Sequence, residues 1–132
     1  MTSRWIGRRP RRTTKQVAGS RAEALARHHL EHAGLALVTR NFRCRLGEID
    51  LVMRDQDCLV FVEVRFRRSG RFAAPALTVD GHKQRCIAQA AGMFLARHPG
   101  LADEAVRFDV VAIDGAADGP AAIQWLPDAF RV

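Results

Sequence analysis

The segment Gly47–Phe66 most constrains the fold, because its pattern predicts two strands joined by a tight turn. In Gly47–Met53, charged and apolar residues alternate with the period of two that is typical of a strand. Cys58–Phe66 is apolar and β-branched on both faces, which indicates a strand in the interior of a sheet. The polar residues 54–57 between them favour a turn. The segment therefore predicts an antiparallel hairpin.

The hairpin brings acidic side chains together. Alternation places one set on one face (Glu48, Asp50 and Val52) and a second set on the other (Ile49, Leu51 and Met53). If the turn is centred on Gln56-Asp57, Asp50 lies directly opposite Glu63. Carboxylates at such positions have Cβ atoms roughly 4.5–5.5 Å apart and repel each other. A hard divalent cation would relieve the repulsion, so the hairpin predicts a metal site.

Two structural alternatives stay open at this point. Glu48 lies near the start of its strand, where acids often face solvent. Glu63 follows Phe61-Val62, and a buried carboxylate needs a partner. Arg65 lies on the same face as Glu63, so the two can form a purely structural ion pair.

An acid on one strand followed by Glu-x-Lys on the next resembles the PD-(D/E)xK nuclease core, with Asp50 as the first acid and Glu63-Val64-Arg65 in place of Glu-x-Lys. More closely, three segments, Arg40–Arg43, Gly47–Leu51 and Phe61–Arg65, resemble the YraN family of small bacterial proteins likened to Holliday-junction resolvases. This resemblance implies an α/β fold with a restriction-endonuclease-like core, in which helices flank a mixed central β-sheet. It also implies Mg²⁺ or Mn²⁺ as cofactor.

The resemblance adds Glu23 in the first helix as a metal ligand and Lys83 in the second helix near the acids. The residues themselves also allow simpler roles: Ser20-Arg21-Ala22-Glu23 is a capping-box pattern, and Lys83 can extend its side chain into solvent. The predicted catalytic residues are Asp50, Glu63, Arg65 and Lys83, and the predicted metal ligands are Asp50, Glu63, Glu48 and Glu23. Arg65 departs from the nuclease pattern, because a guanidinium cannot act as a general base.

The charge balance favours a polyanionic partner. Lys and Arg number 21 against 14 Asp and Glu, which gives a net charge of +7. DNA or RNA is the expected partner, although anionic membrane surfaces attract the same charge. No segment approaches the ~20 apolar residues of a membrane span, so no membrane partner is expected. The predicted nucleic-acid-binding residues precede and follow the hairpin: Arg40, Arg43, Arg45, Arg67 and Arg68.

The domain organisation follows from length and composition. Residues 1–16 form a basic arm that we expect to be disordered, and residues 17–132 are expected to form a single endonuclease-like domain. The three cysteines are scattered and show no zinc-site spacing, which favours the reducing cytoplasm. The predicted elements after the arm are a helix, three strands, a helix and two strands, at Ser20–Ala33, Leu35–Phe42, the hairpin, Asp80–His98, Ala105–Asp114 and Ile123–Leu126.

These features predict a metal-dependent endonuclease that acts on structured or branched nucleic acid. The alternative is a catalytically inert nucleic-acid-binding module with the same fold, and a third hypothesis is a domain that binds an acidic protein. The sequence leaves open whether the chain forms a homodimer. Asp109 is expected to have a structural role, as the ion-pair partner of Arg107 or of a neighbour.

Overall fold

The computed structural model describes residues 14–68, 78–115 and 120–131. Their order of helix, three strands, helix and two strands is the predicted one. The elements are α1 (Thr14–His32), β1 (Ala36–Cys44), β2 (Gly47–Asp55), β3 (Cys58–Arg67), α2 (Gly81–Arg97), a short 3-10 helix (Pro99–Leu101), β4 (Ala105–Asp114) and β5 (Ala122–Phe130).

The five strands form one mixed sheet in the order β1-β2-β3-β4-β5. Neighbouring strands are antiparallel except β3 and β4, which are parallel and are connected through α2. Phe94 of α2 packs on one face of β3 with Phe61, and Leu30 of α1 packs on the other with Val60. A sheet between two helices confirms the predicted mixed α/β architecture, with β3 in the predicted interior position.

The register of the hairpin agrees with the prediction. Leu51 pairs with Val62 and Asp55 pairs with Cys58, so the turn is centred on Gln56-Asp57. Gln56 has a φ of 55°, in the left-handed region that tight turns use. Continued by one residue, this register places Asp50 opposite Glu63.

The predicted alternation of β2 is wrong at Ile49. Ile49 packs with Val52 on the α2 side of the sheet, whereas Leu51 packs on the α1 side. The change of face occurs at Asp50, which lies opposite Asn41 in the pairing of β1 and β2. Asn41 has a φ of 54°, so β1 leaves the extended conformation there and β2 loses its strict alternation beside it.

The first helix begins earlier than predicted. The capping-box pattern placed its start at Ser20, but α1 begins at Thr14 and Ser20 lies inside it. Glu23 is therefore not a capping residue, because the backbone amides beside it belong to the helix interior. Most of the predicted basic arm, residues 1–13, lies outside the described residues.

Asp80, the first residue of the predicted second helix, caps α2, since its side chain accepts a hydrogen bond from the backbone amide of Lys83 at 2.8 Å. The inward face of α2 has four buried residues, Ile87, Ala90, Ala91 and Phe94. The closing strand β5 lies at the edge of the sheet and is longer than predicted.

Asp109 has the predicted structural role. Its side chain is fully buried, and Arg107 Nε lies 3.0 Å from its Oδ1. Trp125 Nε1 and the backbone amide of Asp128 donate to the same carboxylate, at 2.9 Å each. Asp109 therefore fixes β5 against β4, at a place that the candidate site does not use.

Candidate active site

The centre of the candidate site is the carboxylate of Asp50, at the point where the pairing of β2 with β3 ends. The last paired residues are Leu51 and Val62. Beyond them the backbone amide of Val64 donates to Asp50 Oδ2 at 2.8 Å, so a side chain takes the place of the next strand contact. This bond fixes Asp50 against β3, beside Glu63.

Asp50 and Glu63 form the acid pair of the site. Their carboxyl groups are joined by a side-chain hydrogen bond, and the side chain of Glu63 is only 10% exposed. Burial and the charge of Asp50 raise the pKa of Glu63 to about 7, and burial also raises the pKa of Asp50. This hydrogen bond raises the pKa of Glu63 and lowers that of Asp50, so Glu63, when protonated, is the donor of the shared proton and the Asp50 carboxylate is the acceptor.

Lys83 is the cation of the site. Its Nζ lies 3.8 Å from Glu63 Oε2, and its side chain is 38% exposed. The cap at Asp80 fixes the first turn of α2 and therefore the direction from which Lys83 reaches the pair. Burial and the negative charge of Asp50 raise the pKa of Glu63. The positive charge of Lys83 lowers it, but by less.

The alternative ion pair between Glu63 and Arg65 does not form within the described residues. Arg65 Nη1 instead donates to the backbone carbonyl of Thr78, just before α2. The positive charge of Arg65 still lowers the pKa of Glu63, as a smaller contribution than that of Lys83. Arg65 thus links the end of β3 to the start of the helix that carries Lys83.

Glu23 faces the acid pair from α1. The amide atom of Asn41 that faces Glu23, assigned as the nitrogen because a carboxylate only accepts hydrogen bonds, lies 2.8 Å from Oε1 and 3.3 Å from Oε2. Burial, and then the charge of Asp50, raise the pKa of Glu23, while the Asn41 hydrogen bond lowers it. Glu23 therefore lies within electrostatic reach of Asp50, from the opposite side to Lys83.

Glu48 lies at the rim, with its side chain 53% exposed and Arg43 Nε 3.5 Å from its Oε2. Within the residues described, no three His, Cys, Asp or Glu side chains converge where they could hold one metal ion. Of the four predicted metal ligands, the structure brings Asp50 and Glu63 into direct contact, places Glu23 beside them and leaves Glu48 in solvent.

The predicted arginines border the site on two sides. Arg43 and Arg45 line a groove of about 460 Å³ with Lys83 and His82. Arg40 lines a smaller pocket of about 170 Å³ on the α1 side, with basic residues that sequence reasoning missed (Arg27 and His28) and with Glu23 and Asn41. Arg67 and Arg68 are exposed at the end of β3. Residues 69–77, which follow them, lie outside the described residues.

The backbones of β2 and α2 approach each other closely beside the groove that Arg43 and Arg45 line. A Cβ atom on Gly47 would lie 2.7 Å from the carbonyl oxygen of Cys86, so β2 begins almost in contact with α2.

The three cysteines of the chain are free thiols, and Cys44 and Cys86 line this groove. None of the helices in the described part of the chain is long and apolar enough to cross a membrane.

Comparison with known sequences gives the family. The model of the uncharacterised protein family UPF0102 matches residues 22–113. UPF0102 protein xcc-b100_3645 of Xanthomonas campestris pv. campestris (strain B100) is 51% identical over 118 residues, which cover 89% of this chain and 94% of that protein. UPF0102 protein PSEEN4497 of Pseudomonas entomophila (strain L48) is 47% identical over 114 residues, covering 86% and 93%. The chain belongs to the uncharacterised protein family UPF0102.

Proposed function

We propose that this chain is a divalent-metal-dependent endonuclease for structured or branched DNA or RNA, as the YraN and PD-(D/E)xK resemblances imply. One observation carries the proposal: the carboxyl groups of Asp50 and Glu63 lie side by side on adjacent strands, with that of Glu63 largely buried and Lys83 Nζ 3.8 Å from its Oε2. Buried acids with strongly shifted pKa values, close to a cation, are typical of catalytic centres.

The donor set fits a hard cation. Asp50 and Glu63 offer carboxylate oxygens from adjacent strands, and Glu23 lies within electrostatic reach of them. Mg²⁺ usually keeps several water ligands and takes only one or two carboxylates from a protein, so this pair is sufficient. A cation held there would replace the shared proton and would supply charge neutralisation at the phosphate and activation of water.

The remaining groups bind and orient the substrate in this proposal. Lys83 stabilises negative charge on the phosphate, since its ammonium group is near Glu63 and partly open to solvent. A guanidinium cannot act as a general base, so Arg65 serves as a clamp and as an anchor of α2 through Thr78. Arg43 and Arg45 on one side, and Arg40 on the other, lie where a phosphate backbone crossing the acids would pass.

The test is single-turnover cleavage of branched, single-stranded and duplex substrates with Mn²⁺, by the parent protein and by Asp50→Asn. We expect cleavage by the parent and none by the variant. Equal cleavage by both preparations would identify a contaminating nuclease and would contradict the proposal.

A second candidate is an inert nucleic-acid-binding module, which one observation favours. Arg65 occupies the position of the nuclease lysine and donates to the Thr78 carbonyl. Arg65→Lys separates the two candidates. In an enzyme, lysine should preserve or raise the cleavage rate if the guanidinium only neutralises charge, and should lower it about ten-fold if the guanidinium holds a phosphate by two-point contact. In an inert module no variant cleaves, and Arg65→Lys changes only salt-dependent binding.

A further inference from the structure

We propose that the pocket between α1 and β1 binds one unpaired base of the nucleic acid, with cytosine as the favoured base. This inference deepens the proposed function and rests on it, because it names the feature by which the protein recognises a structured or branched substrate. The pocket is the smaller cavity on the α1 side of the site, and its lining includes Glu23, Ala24, Arg27, Arg40 and Asn41.

The size of the pocket suits a single base. Its volume is about 170 Å³, which is room for roughly six water molecules at ~30 Å³ each. A flat pyrimidine ring fits in such a space, whereas a base pair does not. Bases in a duplex are paired and stacked, so only a base that is unpaired or extruded can enter a protein pocket. The pocket therefore selects for a bulge, a branch point or a single-stranded segment.

The charges around the pocket favour a nucleotide over a free anion. The half-buried carboxylate of Glu23 would repel a phosphate group placed beside it. Arg40 is exposed, and the side chain of Arg27 is 36% exposed, so both guanidinium groups are accessible. Arg27 Nε donates to Glu31 Oε2 at 3.3 Å, which restrains that guanidinium beside the pocket. The two guanidinium groups can stack on a base or contact the phosphates on either side of it.

The side chain of Glu23 supplies the base selectivity. A carboxylate accepts a hydrogen bond from the exocyclic amino group of cytosine. Thymine has a carbonyl oxygen at that position, and a carboxylate cannot donate to it. The amide group of Asn41 lies 2.8 Å from Glu23 Oε1 and restricts the orientation of the carboxylate. The pocket therefore presents a fixed acceptor to the base.

The pocket lies beside the acid pair. Leu51, the neighbour of Asp50 in β2, also lines it. Asn41 lies opposite Asp50 in the pairing of β1 and β2. Asp50 and Glu23 are close enough for the charge of Asp50 to raise the pKa of Glu23. A base held in the pocket therefore brings its own phosphate groups toward the acids.

The test is fluorescence anisotropy in EDTA, with a duplex that carries one bulged cytosine and the same duplex without the bulge. Ala24→Leu fills the pocket without changing any charge, and it suits the exposed face of α1 because alanine and leucine are both strong helix formers. Ala96→Leu, at an exposed position of α2, is the matched control. We expect the parent to bind the bulged duplex about ten-fold more tightly than the perfect one. Ala24→Leu should lose this preference, and Ala96→Leu should keep it.

A duplex with a bulged thymine tests the role of Glu23. We expect the parent to bind bulged cytosine more tightly than bulged thymine. Glu23→Gln should remove the difference, because an amide can donate to thymine as well as accept from cytosine. EDTA removes divalent ions, so a role of Glu23 in metal binding does not enter this comparison.

Equal affinity of the parent for bulged and perfect duplexes, or for the two bulges, would overturn the inference. A bulge preference that persists in Ala24→Leu, or a cytosine preference that persists in Glu23→Gln, would also overturn it. Mn²⁺-dependent cleavage without a bulge preference would overturn this inference alone. The predicted preferences without any cleavage would overturn only the nuclease function. A parent protein that binds neither duplex would overturn both.

Discussion

Replacing Glu63 by glutamine should make the metal-free protein more stable at alkaline pH. The side chain keeps its shape and its ability to donate a hydrogen bond to Asp50, but it cannot ionise. In the parent protein, ionisation of Glu63 places a second negative charge against Asp50 in a site that is almost closed to solvent. Glutamine stays neutral, so the variant avoids this electrostatic destabilisation of the folded state.

The magnitude follows from the pKa. Burial and the charge of Asp50 raise the pKa of Glu63 from 4.5 to about 7, so the folded state binds this proton more tightly than the unfolded chain does. The parent therefore loses stability as the pH rises from 4.5 to about 7, and the loss is complete above the folded pKa. At 1.36 kcal/mol for each pKa unit, the loss is about 3 kcal/mol.

The assay is urea unfolding of parent and Glu63→Gln at pH 4, 6 and 8. We expect equal free energies of unfolding at pH 4 and an advantage of about 3 kcal/mol for the variant at pH 8. Asp57→Asn, in the exposed turn, controls for the loss of one negative charge. A variant that is less stable than the parent at pH 8 would refute the reasoning, because the ion pair with Lys83 would then outweigh the repulsion from Asp50.

Three further predictions concern the residues around the pair. Lys83→Met should raise the pKa of Glu63 above about 7 and extend the pH-dependent loss of stability to higher pH, measured in the same titration; an unchanged profile would exclude Lys83 as its partner. Gly47→Ala should destabilise the fold by about 1–3 kcal/mol, because its Cβ would meet the Cys86 carbonyl oxygen at 2.7 Å; Gly92→Ala, with no atom within 4 Å, is the control and should be neutral or stabilising. Asp109→Ala should cost about 3 kcal/mol in urea unfolding, because the indole of Trp125 and the backbone amide of Asp128 lose their buried acceptor and Arg107 keeps only its ion pair with Asp55; a loss below about 1 kcal/mol would contradict that role.

The sequence by itself determined the features that depend on neighbouring residues. Alternation and turn chemistry are local, so the turn at Gln56-Asp57 and the register that sets Asp50 opposite Glu63 were predictable. The cap at Asp80 and the pairing of Arg107 with Asp109 are likewise contacts within three residues.

Only the tertiary structure decided how distant elements complete the site. Lys83 reaches Glu63 because the capped start of α2 docks beside the end of β3, and this docking depends on the packing of a whole helix face. Glu23 resembled a capping residue in sequence, but α1 begins at Thr14 and turns that side chain toward Asn41. Local sequence patterns specify the geometry of a single helix, strand or turn. Contacts between residues far apart in the chain depend on the packing of several elements at once.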